Sequence, residues 1–225
     1  MLNPIQKIQK LLDKNNFDRM QLGWRLPNTV GRVIGGRFFD GAYAPAYPAE
    51  ALAGYDELIV KPAEGAASGA GKGVRVLRGA EAIAFAQDAT QPGGGEDWII
   101  QELIRQSATT ARLNPSSVNT LRLMTLYVGE RPEVIGAFMR IGLAGMRVDD
   151  KDGDGLICSV FEGALAPVAY DQKFRPCAAH PDSGLRFEGI TLPGWAAACA
   201  MTTGAHRRLP EIGLLSWDVA FDESD

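Results

Sequence analysis

Hydrophobic positions recur at two spacings along the chain, near 3.6 and near 2, and the switches between them mark out short elements. Residues 4–20 place Ile5, Ile8, Leu11, Leu12 and Phe17 near helical spacing with lysines opposite, which predicts a helix ended by Gly23. Leu26-Pro27 then opens an extended segment. Residues 32–39 and 57–60 read as strands, with a short helix over 48–54 between them. Residues 74–77 return as a strand after a gap almost free of side chains. The alanine-rich stretch 80–89 has high intrinsic helix propensity and ends at the turn Gln91-Pro92-Gly93-Gly94-Gly95. An apolar strand follows over 97–104.

In the second half, residues 120–128 alternate with period 2. Leu121, Leu123 and Thr125 fall on one face, and Arg122, Met124 and Leu126 on the other. Residues 134–141 form a second apolar strand closed by Arg140, and 156–161 with 164–169 read as a hairpin turning at Glu162-Gly163. A helix is predicted over 195–209, stopped by Pro210. Residues 212–221 read as a buried strand carrying one acid, Asp218.

Composition narrows the class without naming a function. The 225 residues suffice for a sizeable core, as two lobes or two small domains. Hydrophobic content of 46% with 22% charged residues is that of an ordinary globular protein. A net charge of −4 and a pI near 5.3 argue against a nucleic-acid or anionic-membrane surface. No apolar run reaches the ~18 residues of a membrane span, and Met1 opens a polar amphipathic segment rather than a signal peptide. Cys158, Cys177 and Cys199 are odd in number and far apart, neither a disulfide framework nor a zinc set, so a reducing cytoplasm is expected.

The stretch 57–78, ELIVKPAEGAASGAGKGVRVLR, carries the first candidate chemistry. Leu58, Ile59 and Val60 lead into Lys61, and Pro62 is expected to force the chain out of the strand. Gly65, Gly69, Gly71 and Gly73 then alternate with Ala66, Ala67, Ser68 and Ala70. So little side-chain bulk lets backbone N–H groups converge on an anion, with Lys61 and Lys72 adding positive charge at either end. A polyphosphate is the natural ligand; the alternative is an exposed hairpin loop that binds nothing. A Walker A loop fails, because Ala66 holds the required glycine position and Gly73 follows Lys72 where Ser or Thr is needed. The Rossmann fingerprint fails too, lacking its third glycine after Gly69-Ala70-Gly71.

The arginines are the second. Arg122 shares a face with Met124 and Leu126, and such a charge is costly unless an anion meets it. Arg122 and Arg140 on neighbouring strands can clamp a phosphate or a substrate carboxylate through bidentate hydrogen bonds. Alternatively each pairs with a structural carboxylate such as Asp149 or Glu102. Asp218, inside a strand expected to be buried, wants a cation. Residues 148–155 imitate a calcium loop with Asp150, Asp152 and Asp154, but the twelfth position is Phe161 and the flanks are strand-like. His180, ahead of Pro181, reads as structural.

Lys61-Pro62 before a small-residue flap and Gly73-Val74 resembles the phosphate-covering hairpin of the ATP-grasp superfamily. Asp13-Lys14 with Phe17 and Leu26-Pro27, Gln101-Glu102-Leu103-Ile104, the phrase NPSSVNTLRLMTLY over 114–127, and His180-Pro181 with Phe187 to Gly189 and Leu192-Pro193 are similar to its sugar-transfer-associated branch. The likeness runs from about residue 13 to about residue 220. It implies an α+β, ATP-grasp fold of two lobes with the nucleotide between them. The division it implies is a lead-in helix over 1–25, a small nucleotide-covering lobe over 26–105 and a larger lobe over 106–225 lacking its last strand.

The resemblance also implies roles. Lys14, Lys61, Ser68, Gly69, Gly71, Lys72 and Gly73 would hold ATP phosphates, although Lys14 read alone is a solvated helix-face lysine. Gln101, Glu102, Leu103 and Ile104 would form the hinge that meets adenine. Glu102 can instead reach N6 or ribose, or cap a strand. Arg122 and Arg140 would neutralise charge developing in the reaction, and Asp218 would bind magnesium. The implied activity is an ATP- and Mg2+-dependent carboxylate–amine (or thiol) ligase in polysaccharide or envelope-precursor metabolism, acting on a small carboxylate or sugar-linked substrate. Two alternatives stand beside it: a nucleotide-binding module without turnover, and a small-molecule kinase on the same fold. The sequence departs from the family at Asp149-Asp150 and at the single Gly155. It also ends at Asp225, before the family's Glu-x-Asn strand, which leaves truncation or a degenerate metal site as expectations. No motif names the acceptor or fixes an oligomeric state.

Overall fold

The computed structural model describes residues 3–64, 73–92, 95–146 and 154–224. Eleven strands and five α-helices follow one another among these residues. The strands are β1 (Thr29–Ile34), β2 (Arg37–Asp40), β3 (Glu57–Pro62), β4 (Arg75–Arg78), β5 (Trp98–Glu102), β6 (Thr120–Val128), β7 (Arg131–Ile141), β8 (Leu156–Phe161), β9 (Ala164–Tyr170), β10 (Pro176–Cys177) and β11 (Leu214–Ala220). The helices are α1 (Ile5–Ile8), α2 (Pro48–Ala51), α3 (Gly79–Ala89), α4 (Ala108–Ala111) and α5 (Trp195–His206). All the sheet pairing is antiparallel, in a mixed α+β arrangement. Contacts divide the chain into two compact units. The N-terminal unit is Gln9–Gln21 with Arg25–Leu103, and the C-terminal unit is Met1–Ile8, Leu22–Trp24 and Ile104–Asp225.

The N-terminal unit is a five-stranded sheet in the order β2-β1-β5-β3-β4. Its core forms where Leu58, Val60, Trp98 and Ile100 meet Ala82, Ala86 and Ala89 of α3. Alanines let that helix approach closely, and Phe85 meets Trp98 edge-on at 4.8 Å between ring centroids. The Glu81 carboxylate accepts from the Arg78 backbone N–H at 2.9 Å, satisfying a donor at the helix start. One reading is corrected here. The strand over 32–39 is two strands, because Gly35 and Gly36 both take positive φ and turn the chain as a hairpin. Pro62 is the last residue of β3 and pairs in register with Trp98, at the strand end where a missing N–H is tolerated.

The helix expected over 4–20 is also not continuous. One turn of α-helix gives way to single 3₁₀ turns at Gln9–Leu11, Lys14–Asn16 and Asp18–Met20. The Asp13 carboxylate caps the second of these by accepting from the Asn15 N–H at 2.9 Å. Gln21 then takes a left-handed conformation and stops the run.

The C-terminal unit is a six-stranded sheet in the order β10-β9-β8-β7-β6-β11. The alternation in β6 predicts its two faces correctly: Leu121, Leu123 and Thr125 are buried, while Arg122, Met124 and Leu126 are only half-buried. The buried face packs Met139, Ile141, Leu156, Cys158, Val160 and Phe187 into one core, with Ala198 of α5 against it. No helix among the described residues is long and apolar enough to cross a membrane. Cys158, Cys177 and Cys199 are free thiols.

Candidate functional site

Three of the residues expected at phosphate converge on Pro62 in the N-terminal unit. Lys61 precedes it, and its ammonium donates to Gln101 Oε1 at 3.3 Å. The Lys14 ammonium donates to the carbonyls of Pro62 at 2.9 Å and Ala63 at 3.3 Å, so it is a half-buried, engaged group rather than a solvated one. Burial lowers the Lys14 pKa, with Asp13 and Glu64 opposing that shift. Gly73 holds φ +82°, and a Cβ there would come within 2.7 Å of the Pro62 ring. Gly73 therefore lets the returning chain close on the proline. Ser68, Gly69, Gly71 and Lys72 lie outside the described residues.

Gln101 is buried and fully employed: its amide donates to Thr29 Oγ1 at 3.1 Å and to the Pro27 carbonyl at 3.4 Å. The Glu102 N–H donates to the Asn28 carbonyl at 3.0 Å, and the Asn28 amide returns a bond to Glu102 Oε1 at 2.8 Å. Glu102 thus ties a strand end to the preceding loop. Leu103 and Ile104 stand on either side of the division between the units.

The C-terminal unit brings together Arg122, Arg140 and Asp218. Arg122 and Asp218 are opposed residues on β6 and β11. The guanidinium binds the carboxylate through both oxygens, Nε to Oδ1 at 2.5 Å and Nη2 to Oδ2 at 2.8 Å. Arg140 of β7 reaches the same carboxylate, with Nη1 3.8 Å from Oδ1. Asp218 corrects the expectation of a buried acid: its side chain is 49% exposed, because β11 ends the sheet order and Asp218 points away from the core. The carboxylate that Arg122 binds is Asp218 rather than Glu102, and Asp149 lies outside the described residues.

The resemblance gives that acid to magnesium. Yet both its oxygens already accept from a guanidinium, and no group of three or more His, Cys, Asp or Glu side chains among the described residues could hold a metal. As paired here, Asp218 and its described neighbours do not make a magnesium site.

A buried relay missed by the sequence reading supports the cluster from the other face. His206 Nε2 lies 2.9 Å from the Ile212 carbonyl, which can only accept, so Nε2 carries the proton. Nδ1 then accepts from Thr125 Oγ1 at 2.7 Å, and Thr125 in turn accepts from Trp217 Nε1 at 2.7 Å. Thr125 and Trp217 flank Arg122 and Asp218 along their own strands, so the relay fixes the spacing of β6 and β11. Burial lowers the His206 pKa, and the bond to Ile212 opposes this only in part. The unfolded chain therefore binds the proton more readily than the folded one. Stability present above about pH 6.5 should be lost as pH falls through the folded-state value. Melting temperature is expected to drop between pH 7 and pH 5, and this drop should be smaller in His206→Gln. Identical pH profiles for the two proteins would contradict the linkage.

His180 is structural, as read. It is buried, with Nε2 2.9 Å from the Gly142 carbonyl and Nδ1 accepting from the Asp182 and Ser183 N–H groups. Of the acidic loop 148–155, residues 148–153 lie outside the described ones. A groove of about 570 Å3 elsewhere in this unit, lined in part by Thr109, Arg112, Arg186 and Glu188, shares no residue with the arginine cluster.

Antiparallel sheets in two α+β units, with a lysine pair at the flap strand of one and an arginine pair on a sheet face of the other, define a protein of the ATP-grasp fold. The family model for sugar-transfer associated ATP-grasp proteins matches residues 1–225, and the chain belongs to that family. Among solved structures, it is similar to an L-amino acid ligase from Bacillus licheniformis, with a TM-score of 0.54 and 13% identity. It is also similar to an N5-carboxyaminoimidazole synthase from Aspergillus clavatus, in complex with ADP and 5-aminoimidazole ribonucleotide, with a TM-score of 0.52 and 10% identity. Each match covers 98% of this chain but only 39% and 43% of those proteins, so the chain spans about two fifths of their length. At such identities the likeness is one of fold. Comparison of the sequence with curated proteins finds no match.

Proposed function

We propose that the chain serves ATP-dependent ligation of a carboxylate to an amine or thiol, in polysaccharide or envelope-precursor metabolism. The observation that carries this reading is the pair of guanidiniums on adjacent strands sharing one half-exposed carboxylate. Arginines held in this way are pre-aligned donors for an oxyanion, and such donors lower barriers without reorganising during the reaction.

In the proposed reaction a substrate carboxylate oxygen attacks the γ-phosphorus of ATP. The bond from that phosphorus to the β–γ bridging oxygen breaks, releasing ADP and forming an acylphosphate. The amine then attacks the acyl carbon, expels inorganic phosphate and loses a proton to solvent. Positioning and charge neutralisation dominate such transfers, so no side-chain nucleophile is required. Lys14, Lys61 and Gly73, with Ser68, Gly69, Gly71 and Lys72, would hold the phosphates. Backbone groups from Gln101 to Ile104 would meet the adenine. Arg122 and Arg140 would neutralise charge on the transferred phosphoryl group and on the acyl oxygen, while Asp218 holds their planes in register.

Hydroxylamine trapping tests the reading. With ATP, magnesium, hydroxylamine and a panel of carboxylic acids, the full chain is expected to release ADP and form a hydroxamate from at least one acid. A stable phosphoester would mean a kinase. ATP binding with no ADP release across the panel would mean a binding module.

A further inference from the structure

The outward face of the six-stranded sheet continues beyond the arginine pair. Opposed residues in antiparallel strands project to the same face. The register therefore runs one row through Ala220, Thr120, Arg140, Ile157 and Tyr170 across β11, β6, β7, β8 and β9. The adjoining row is Asp218, Arg122, Phe138 and Ser159. Phe138, Ile157 and Tyr170 thus extend the guanidinium cluster on its β8–β9 side.

None of these three belongs to the buried core of the opposite face. Ile157 is 37% exposed and Tyr170 45% exposed, as direct cross-strand partners. Large apolar side chains grouped on an outward face mark a contact surface. An apolar wall ending in a few convergent polar groups is the usual make-up of a small-molecule site. Neighbouring strands lie about 4.8 Å apart, so the two intervals from Arg140 to Tyr170 cover roughly 10 Å. A guanidinium at one end of that span is complementary to a carboxylate; Ile157 and Tyr170 are complementary to hydrocarbon.

We infer that Phe138, Ile157 and Tyr170 form the specificity wall for the acid that is activated, and that this acid carries an apolar aliphatic or aryl body about 10 Å long. Arg140 would take its carboxylate, and the wall would take its body. This rests on the ligase reading only for the fate of the carboxylate; the binding preference stands by itself.

Calorimetry with the full chain and a non-hydrolysable ATP analogue tests it, using 4-phenylbutanoate, acetate and glucuronate as probes. Phenylbutanoate is expected to bind at least tenfold more tightly than either of the others. The double variant Ile157→Ser/Tyr170→Ser should erase most of that preference while its melting temperature stays near wild type, since both side chains are exposed. Equal affinity for glucuronate and phenylbutanoate would overturn the inference. So would a preference indifferent to the double variant, or no binding by any of the three acids. Selective binding without hydroxamate formation would leave the wall standing and remove the ligase chemistry. Hydroxamates formed equally from polar and apolar acids would do the reverse.

Discussion

Lys61→Ala is expected to weaken ATP binding about a hundredfold while leaving the fold intact. Lys61 lies on the half-buried face of β3, away from Leu58 and Val60, so alanine removes no core contact. What is lost is an ammonium held against Gln101 beside the flap strand. A hydrogen bond to a charged group contributes about 1.5–3 kcal/mol, and each 1.4 kcal/mol is a factor of ten in affinity. Gln101 keeps its bonds to Thr29 and Pro27, so the strand remains anchored. Titration with a fluorescent ATP analogue reads the effect directly. Unchanged affinity would remove Lys61 from the phosphate set, and a large fall in melting temperature would make it a structural residue.

Arg32→Ala should produce the largest loss of stability. Arg32 is wholly buried in β1, and its guanidinium bonds Asp18, the Asn15 carbonyl at 3.1 Å and the Gly41 carbonyl at 3.3 Å. Tyr43 lies against it, 4.0 Å from ring centroid to Cζ, and donates its hydroxyl to Asp18. Burial, helped by that bond, pushes the Tyr43 phenol up to about 12. Asp18 is partly exposed, so the loss comes from the emptied buried space and from carbonyls left without a donor, about 2–5 kcal/mol out of a total stability of only about 5–15 kcal/mol for most domains. Melting temperature should fall by about 10 °C. Arg32→Met, which fills the space without charge, should lose less, because Asp18 is 39% exposed and can return to water. Equal losses in the two variants would mean that charge and hydrogen bonds, not packing, hold the segment.

Much of the fold was legible because strands bury one face. The period-2 pattern of β6 gave both its faces and its bounds, and Leu156–Phe161 was equally plain. The lead-in helix misled because spacing alone cannot see Asp13 capping a new turn, nor Arg32 reaching 17 residues back to the Asn15 carbonyl. That cluster is a tertiary contact between distant residues, and the only signal in the sequence was an arginine inside an apolar strand. The same signal stands at Arg122, where a ligand anion and a structural carboxylate were both open, and Asp218 is the carboxylate it meets. Asp218 looked buried because Leu214, Leu215, Trp217 and Val219 surround it in sequence, although β11 closes the sheet order and leaves it half-exposed. The His206–Thr125–Trp217 relay joins a helix to two strands across 92 positions, and nothing local announces it.

Oxygen labelling tests the proposed carboxylate activation most directly. The acid selected by hydroxylamine trapping would be supplied with 18O in its carboxylate, together with ATP and an amine. If that oxygen attacks the γ-phosphorus, the released inorganic phosphate carries one 18O atom, and Arg122→Ala forms it far more slowly. Phosphate released at the wild-type rate with no label would contradict the account.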